Sequence, residues 1–534
     1  MNRQYLGLIG LWALLVVISL FSRSYVPIDE TRYVTVAWNM WLRGDFLVPY
    51  LNNIPYSHKP PLLFWLMDAG WALFGVNDWW PRLVPSLFTL GSLFLTAAIA
   101  HRLWPRQRQI AQLAPVILIG CGLWTVFTTA TMFDMMVAFF TVLGMLGILI
   151  AGQDNSRKGW LILGLAIGGG LLAKGPTILL QLLPLALLAP WWGRGMNIKA
   201  GRWYGGILLA VIIGAVIALL WAIPAAIHGG PVYSHAIFWG QTAERMVNSF
   251  AHRRAFWWYL PLLPIMFFPW LFWLGAWRGL KENLTNPDFG IRFCLATVVP
   301  VFIAFSLVSG KQMHYLLPLF PAFALLLARG LQSVHISTSD KLVTAAITIA
   351  LGALVIYLPF YAQLHHVAPW VSNISMWNGI ALIAFALLLL TPSPQLADDV
   401  WKMSLFSAGV VVIVVYSIVM RGSGLAYDLR PVAQQLKNLE DHGIPIAHEG
   451  KYAGQYQFLG RLRKEPDEVA AADLEKWFSA HPNGKAVVYF NSDVQLDGLQ
   501  YDYMQLYKGD RVVILGKQAW PPVGHHQPID PNNG

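Results

Sequence analysis

Apolar stretches of roughly 20 residues recur along this chain from Tyr5 to Met420 and then stop. A helix of about 20 mostly apolar residues is long enough to cross the hydrocarbon core of a bilayer. Charged residues make up only 12% of the chain, about half of their share in soluble domains. The sequence therefore predicts an all-α polytopic membrane protein over residues 1–421, followed by a region of another kind.

The apolar stretches define thirteen predicted membrane spans. They lie at 5–22, 82–104, 110–129, 133–151, 160–173, 176–192, 205–227, 259–277, 293–309, 315–331, 342–361, 375–391 and 403–420. The first stretch is predicted to be retained, because Ser22-Arg23-Ser24 does not form a small-x-small cleavage site. Cys121 and Cys294 both fall inside apolar stretches, which excludes a disulfide framework and a thiolate metal site.

Eleven of the 37 Lys and Arg residues lie in or at the ends of alternate loops between the predicted spans. These loops contain Arg102, Arg106, Arg108, Arg157, Lys158, Arg194, Lys199, Arg202, Arg278, Lys281 and Arg292. Positively charged loops stay in the cytoplasm. This pattern predicts a cytoplasmic N-terminus and a C-terminal region on the outer face, and it explains the net charge of +10 without a nucleic-acid partner.

Two predicted outer loops, 23–81 and 228–258, are longer than simple turns and are therefore candidates for function. In the first loop, 32–42 and 62–74 have the composition of helices that lie along the membrane interface.

The region after Met420 is predicted to be a small soluble α/β domain over 422–519, followed by a disordered tail over 520–534. Helical periodicity and β-like apolar runs define its elements. The predicted helices are 430–440 and 471–480, and the predicted strands are 444–447, 485–490 and 511–515.

Several ionisable residues share the outer side, although the positive-inside rule would place cations on the other side. They are Asp29, Glu30, Arg32, His58, Lys59, Asp134, Lys174, Arg245, His252, Arg253, Lys311 and His314, with Tyr33, Tyr56 and Tyr315 beside them. Cations grouped around a few acids favour an anionic ligand, most simply a phosphate. His58, His252 and His314 are also candidate ligands for a divalent metal, although a histidine in a polar loop more often makes hydrogen bonds.

Sugar transfer from a lipid phosphate would use these residue types. When the anomeric C–O bond breaks, negative charge develops on the phosphate, and cations such as Arg32, Lys59 and Lys174 would stabilise it. A carboxylate would act as general base on the acceptor or stabilise positive charge at the anomeric carbon. Asp29 and Asp134 are the candidates for that role.

Four motifs of the chain resemble those of the C-type (GT-C) integral-membrane glycosyltransferases. They are Asp29-Glu30-Thr31-Arg32-Tyr33, Tyr56-x-x-Lys59-Pro60-Pro61-Leu62, the Asp134 loop, and Ala173-Lys174-Gly175-Pro176. The set is most similar to the ArnT-like aminoarabinose lipid A transferases and to the protein-mannosyltransferase-like enzymes. His58 departs from the ArnT-like pattern, which commonly has a glutamate linked to metal binding at that position.

The resemblance implies Asp29 and Asp134 as catalytic acids. It implies Arg32, Tyr33, Tyr56, Lys59 and Lys174 around the lipid phosphate. Glu30, Arg245, Arg253, Lys311 and Tyr315 are weaker candidates for substrate contacts. The expected enzyme lies in a bacterial inner membrane and transfers a sugar, with inversion, from a polyprenyl-phosphate donor to lipid A or another envelope glycan.

Two alternatives to this function remain at this point. A protein O-mannosyltransferase would use the same donor chemistry and would need Asp29 as a base. A transporter would need ionisable residues or broken helices near the middle of the membrane, and the predicted spans contain few.

Overall fold

The computed structural model describes residues 3–196, 199–239, 253–365, 370–491, 494, 496–520 and 525–526. Their contacts divide the chain into two compact units. The first unit consists of Met1–Phe21, Ser57–Leu63 and Asp78–Ile418, and the second of Ser22–Tyr56, Phe64–Asn77 and Val419–Gly534. Two segments of the first predicted outer loop thus belong to the same unit as the C-terminal region.

Long apolar helices dominate the first unit. Within the described residues, eight helices are long and apolar enough to cross a membrane, and a ninth span results if two helices bent by 71° are one span. The eight are Arg3–Ser22, Trp79–Leu103, Asp134–Gln153, Ala200–Trp239, Phe289–Leu307, Met313–Leu331, Thr338–His365 and Leu396–Arg421, and the bent pair is Arg108–Ile119 with Gly122–Thr128. This confirms a mostly helical, multi-pass membrane protein.

Helix length and composition alone give eight or nine membrane spans, fewer than the thirteen predicted from the sequence. Three predicted spans correspond to helices that are shorter or that carry more charge at their ends, namely Arg157–Lys174, Thr177–Leu187 and Met376–Leu389. The helix before the predicted loop 228–258 is also longer than expected, because it continues past a break at Gly230.

The predicted span 259–277 was wrong as a continuous helix. Pro261, Pro264 and Pro269 each lack a backbone donor, and they divide this apolar run into short turns. The pieces are Leu260–Leu262, Leu263–Met266, Trp270–Phe272 and the start of the helix Leu274–Thr285.

A tight helical hairpin brings two predicted site residues to the same end of the first unit. Asp134–Gln153 has 20 residues and Arg157–Lys174 has 18, and a short turn joins them. At equal rise per residue the start of one helix is level with the end of the other. The pair packs closely at Gly159, where a Cβ would lie 2.4 Å from the backbone N of Ala151.

The second unit contains a six-stranded mixed sheet. Its strands are β3 (Ile446–Glu449), β4 (Asp467–Val469), β5 (Lys485–Asn491), β6 (Tyr503–Tyr507), β7 (Asp510–Gly516) and β8 (His525–His526), after a small hairpin of β1 (Tyr50–Leu51) and β2 (Ile54–Pro55). The order is β4-β3-β5-β7-β6, with β8 also paired to β5. β3 is parallel to β4 and β5, whereas β7 is antiparallel to β5 and β6.

Both faces of this sheet are buried. Along β5, Val487 and Tyr489 point to one core, whereas Ala486, Val488 and Phe490 point to the other. This alternation follows from the two-residue period of a strand. The helices Arg430–Asp441 and Leu474–Ala480 cover the two faces, and their observed bounds confirm the predicted α/β character.

Within the second unit, the segments Ser22–Tyr56 and Phe64–Asn77 pack on the C-terminal segment. Helices Asp29–Arg43 and Leu62–Phe74 contribute Trp38 and Trp71, and the Trp71 ring stacks on Phe458 at a centroid distance of 5.1 Å. Trp38 Nε1 also donates to the Leu462 carbonyl at 2.9 Å. The predicted disordered tail lies outside the described residues, apart from Trp520 and the β8 strand.

Candidate functional site

Asp134 and Lys174 form a largely buried ion pair in the first unit. Asp134 begins its helix and Lys174 ends the next one, so each charge also suits the dipole of its helix. The Lys174 Nζ lies 2.5 Å from Asp134 Oδ1, with the side chains 14% and 4% exposed. Little water reaches this pair, so its electrostatic interaction is only weakly screened.

The segment before the helix Phe320–Leu331 adds His314 and Tyr315 to this pair. His314 Nε2 lies 4.0 Å from Asp134 Oδ1, and the Lys174 Nζ lies 4.7 Å from the centre of the Tyr315 ring. The rings of His314 and Tyr315 meet edge to face at 4.9 Å. The structure therefore brings together four residues from three distant parts of the sequence.

Lys59 completes this group, which we call the Asp134 cluster: Lys59, Phe133, Asp134, Lys174, His314 and Tyr315. The Lys59 Nζ lies 5.9 Å from the centre of the ring of Phe133, the residue before Asp134. Two lysines thus belong to one group with a single buried carboxylate. This excess of positive charge favours the binding of an anionic ligand.

Lys311 has structural partners in the same unit. Its Nζ donates to the carbonyls of Val308 and Arg254, at 2.5 and 3.1 Å, and Arg253 forms a β-bridge with Gly310. Burial lowers the pKa of Lys311, whose side chain is almost inaccessible. Arg245 and His252 lie outside the described residues.

Asp29 and Arg32 belong to the second unit, where they begin the helix Asp29–Arg43. The Arg32 guanidinium donates to Asp29 Oδ1 one helical turn away. The Asp29 side chain is 52% exposed, whereas that of Arg32 is only 13% exposed. Asp29 is therefore an accessible carboxylate beside a guanidinium that the protein holds in place.

Tyr33 and Tyr56 are buried near Arg32. They are 4% and 6% exposed, and the Arg32 Cζ lies 5.7 Å from the centre of the Tyr33 ring. Burial opposes the charge of Arg32, but interactions with Tyr56, Tyr33 and Asp29 hold its pKa above the usual value. Arg32 therefore remains a cation.

Glu30 is occupied by an internal ion pair that the sequence analysis missed. Arg23 donates to both Glu30 oxygens, at 2.5 and 3.0 Å, and the Val26 backbone N donates to Oε2 at 2.6 Å. Both side chains of the pair are 4% exposed. The pair fixes the segment between the first helix and Asp29, and the only sequence signal was a cation at the end of a predicted span.

The metal hypothesis gains no ligand set from the described residues. Among them no three His, Cys, Asp or Glu side chains are grouped closely enough to hold a metal ion. His314 instead packs between Phe127 and Tyr315, with ring centroids at 5.4 and 4.9 Å. The third candidate ligand, His252, lies outside the described residues.

Known proteins resemble the chain in sequence. The family model described as dolichyl-phosphate-mannose-protein mannosyltransferase matches residues 58–221. An undecaprenyl phosphate-alpha-4-amino-4-deoxy-L-arabinose arabinosyl transferase of Erwinia tasmaniensis is 32% identical over 372 residues, which are 66% of this chain and 65% of the relative. The same enzyme of an Enterobacter species is 30% identical over 60% of this chain and 57% of its own length. The chain thus spans less than two thirds of these relatives.

Solved structures share the fold over nearly the whole chain. ArnT from Cupriavidus metallidurans, bound to undecaprenyl phosphate, matches with a TM-score of 0.75 and 20% identity, over 95% of this chain and 97% of its own. The oligosaccharyltransferase of Archaeoglobus fulgidus matches with a TM-score of 0.52 and 11% identity, over 90% and 69% of the two chains. These similarities establish the fold.

Proposed function

We propose that this chain is an ArnT-like C-type integral-membrane glycosyltransferase, which transfers a sugar from a polyprenyl-phosphate donor to an acceptor such as lipid A. The observation that carries the proposal is the Asp134 cluster, in which Lys174 pairs with a buried carboxylate and Lys59 lies beside the neighbouring Phe133 ring. The Erwinia relative is named for an undecaprenyl-phosphate aminosugar, which supports the donor class.

The lysines of the Asp134 cluster would act on the leaving group. As the sugar leaves, additional negative charge develops on the lipid phosphate. Preorganised cations therefore stabilise the transition state more than they stabilise the bound donor. Asp134, paired at 2.5 Å with Lys174, would keep the ammonium in place. It would therefore act through Lys174 more than as a proton acceptor.

Asp29 is the proposed acid next to the acceptor, because it is the more exposed of the two catalytic candidates. An acceptor hydroxyl needs a base in the transition state, whereas a phosphate acceptor is already ionised and needs none. With a lipid A phosphate, Asp29 would instead stabilise positive charge at the anomeric carbon. Inversion at that carbon is part of the same proposal.

A bacterial inner membrane, a cytoplasmic N-terminus and a periplasmic C-terminal domain are proposed for this protein. The thirteen-span count belongs to the same proposal. It is supported by the three shorter helices at predicted spans and by the broken run at residues 260–272, which add to the nine spans counted by length.

Transfer to a protein hydroxyl is a second candidate, favoured by the mannosyltransferase family model at residues 58–221. The two candidates differ in their need for a base. We expect D29N to lose more of its transfer to a hydroxyl acceptor, which needs the base, than of its transfer to a phosphate acceptor. Equal activity of D29N with both acceptors would remove the proposed base, and no transfer by the wild type to lipid A, with transfer to a peptide, would favour the second candidate.

A further inference from the structure

The membrane-spanning helix Leu396–Arg421 changes its winding toward its end. It is α-helical over Leu396–Val411 and π-helical over Val412–Arg421. In a π-helix the hydrogen bonds join residues i and i+5, and such segments are rare and frequently lie at functional sites. Tyr416 lies in this segment and is 3% exposed, so its hydroxyl group needs a partner inside the protein.

The partner of Tyr416 is Thr129, which comes from a distant part of the sequence. The Tyr416 hydroxyl and Thr129 Oγ1 form a hydrogen bond, and Thr129 is also 3% exposed. Thr129 Oγ1 donates to the Val126 carbonyl at 3.3 Å, which leaves it as an acceptor for the Tyr416 hydroxyl. The bond therefore ties the end of this span to the residues before Asp134.

Thr129 begins a short non-helical stretch, residues 129–133, which we call the 129–133 linker. The linker joins the helix Gly122–Thr128 to the helix that Asp134 begins. Its backbone forms turn hydrogen bonds, such as the one from Met132 N to the Ala130 carbonyl at 2.9 Å. Because such a linker lacks the regular hydrogen-bond ladder that fixes a helix, its position depends on contacts with its neighbours.

Contacts of the Asp134 cluster lie on both sides of this linker. Before it, the Phe127 ring lies 5.4 Å from the His314 ring. At its end, the Phe133 ring lies 5.9 Å from the Lys59 Nζ, and Asp134 follows directly. A shift of the linker would therefore change how the carboxylate meets the cations, and a misplacement of about 1 Å can cost about 100-fold in rate.

We propose that Tyr416 is a positioning residue of the transfer reaction. By holding Thr129, it keeps the 129–133 linker in place, so that Asp134 aligns Lys174 with the leaving phosphate. This role needs no contact between Tyr416 and a substrate. The inference rests on the proposed function, since it adds a residue to the same reaction.

The test uses the full-length purified protein and variants that change one small group. Y416F and T129V each remove one side of the hydrogen bond, whereas T129S keeps the hydroxyl. S417A is the matched control, because Ser417 follows Tyr416 in the same π-helix and its hydroxyl donates to Asn378 Oδ1 at 2.7 Å, on the helix Met376–Leu389. Initial rates of sugar transfer are measured at a temperature at which thermal midpoints show every variant to be folded.

Y416F and T129V are each expected to lower kcat by about 10-fold, the worth of one hydrogen bond. The KM for the polyprenyl-phosphate donor should stay within about twofold of wild type, since the effect lies in the transition state. The double variant should be no slower than either single variant, because both changes remove the same bond. T129S and S417A should transfer at the wild-type rate.

Unfolding measurements separate this inference from the proposed function. If Tyr416 positions Asp134, D134N should cost less free energy of unfolding in Y416F than in wild type, even without turnover. An inactive wild type that shows this coupling refutes the proposed function and supports the positioning role. Equal costs of D134N in Y416F and wild type overturn the inference.

Three kinetic results would also overturn it. The first is a wild-type kcat in Y416F. The second is a double variant in which the two losses multiply to about 100-fold, as expected of independent residues. The third is an equal loss in S417A, which would make the effect a general one of the π-helix.

Discussion

The pair of Asp134 and Lys174 offers the sharpest prediction about how the two residues work. At 2.5 Å, Coulomb's law with an effective dielectric constant of about 20 gives a gross attraction of about 7 kcal/mol. Desolvation of both charges offsets much of this attraction. Breaking such a pair from one side leaves a buried charge and costs about 3–5 kcal/mol.

We therefore expect D134N and K174M each to lower the free energy of unfolding by about 3–5 kcal/mol. The double variant should cost less than the sum of the two, with a coupling energy of about 2 kcal/mol or more. Loss of transfer should follow the same pattern, because Asp134 is proposed to act through Lys174. Unfolding in detergent, followed by tryptophan fluorescence, and initial transfer rates give the two readouts.

The matched control is the ion pair between Arg102 and Asp154 in the same unit. Its side chains are 34% and 46% exposed, so D154N should cost less than about 1 kcal/mol. If the effects of D134N and K174M on the activation free energy of transfer were additive, the reasoning would be refuted. Additive free energies, and therefore multiplied rate effects, are expected of two independent catalytic groups.

Three further predictions concern the second unit. F458A should destabilise it by about 3–5 kcal/mol, measured by unfolding or proteolysis, because Phe458 is 1% exposed and stacks on Trp71; wild-type resistance would contradict the packing. Burial raises the pKa of Asp68 from 3.8 to about 8, so stability should fall as the pH rises between these values, and D68N should remove that fall in thermal midpoint. Burial lowers the pKa of His448 from 6.5 to about 4, so stability should fall as the pH falls between these values; an unchanged profile in H448Q would contradict this.

Elements with a clear period were predictable from the sequence. The helix Arg430–Asp441 and the strand Lys485–Asn491 were predicted almost at their observed bounds, because one has a helical apolar stripe and the other an apolar run of strand length. The run at 259–277 was not, because its hydropathy outweighed three prolines that break helical hydrogen bonding.

The candidate site was predictable only as far as one-sided placement allows. The alternation of loops between the two sides of the membrane predicted Asp134, Lys174 and His314 on the same side. The structure brings these three residues together. The side of the membrane on which a loop lies does not tell which side chains contact each other. The sequence therefore did not show that Glu30 forms an ion pair with Arg23.

The central claim is that this protein transfers a sugar from a polyprenyl phosphate. The most direct measurement supplies the purified protein with undecaprenyl-phosphate aminoarabinose and lipid A, and follows the modified lipid A by mass spectrometry. We predict one added sugar residue per product, formed by the wild type and strongly reduced in K59A and K174M. No turnover by the wild type with either a lipid A or a hydroxyl acceptor would contradict the claim.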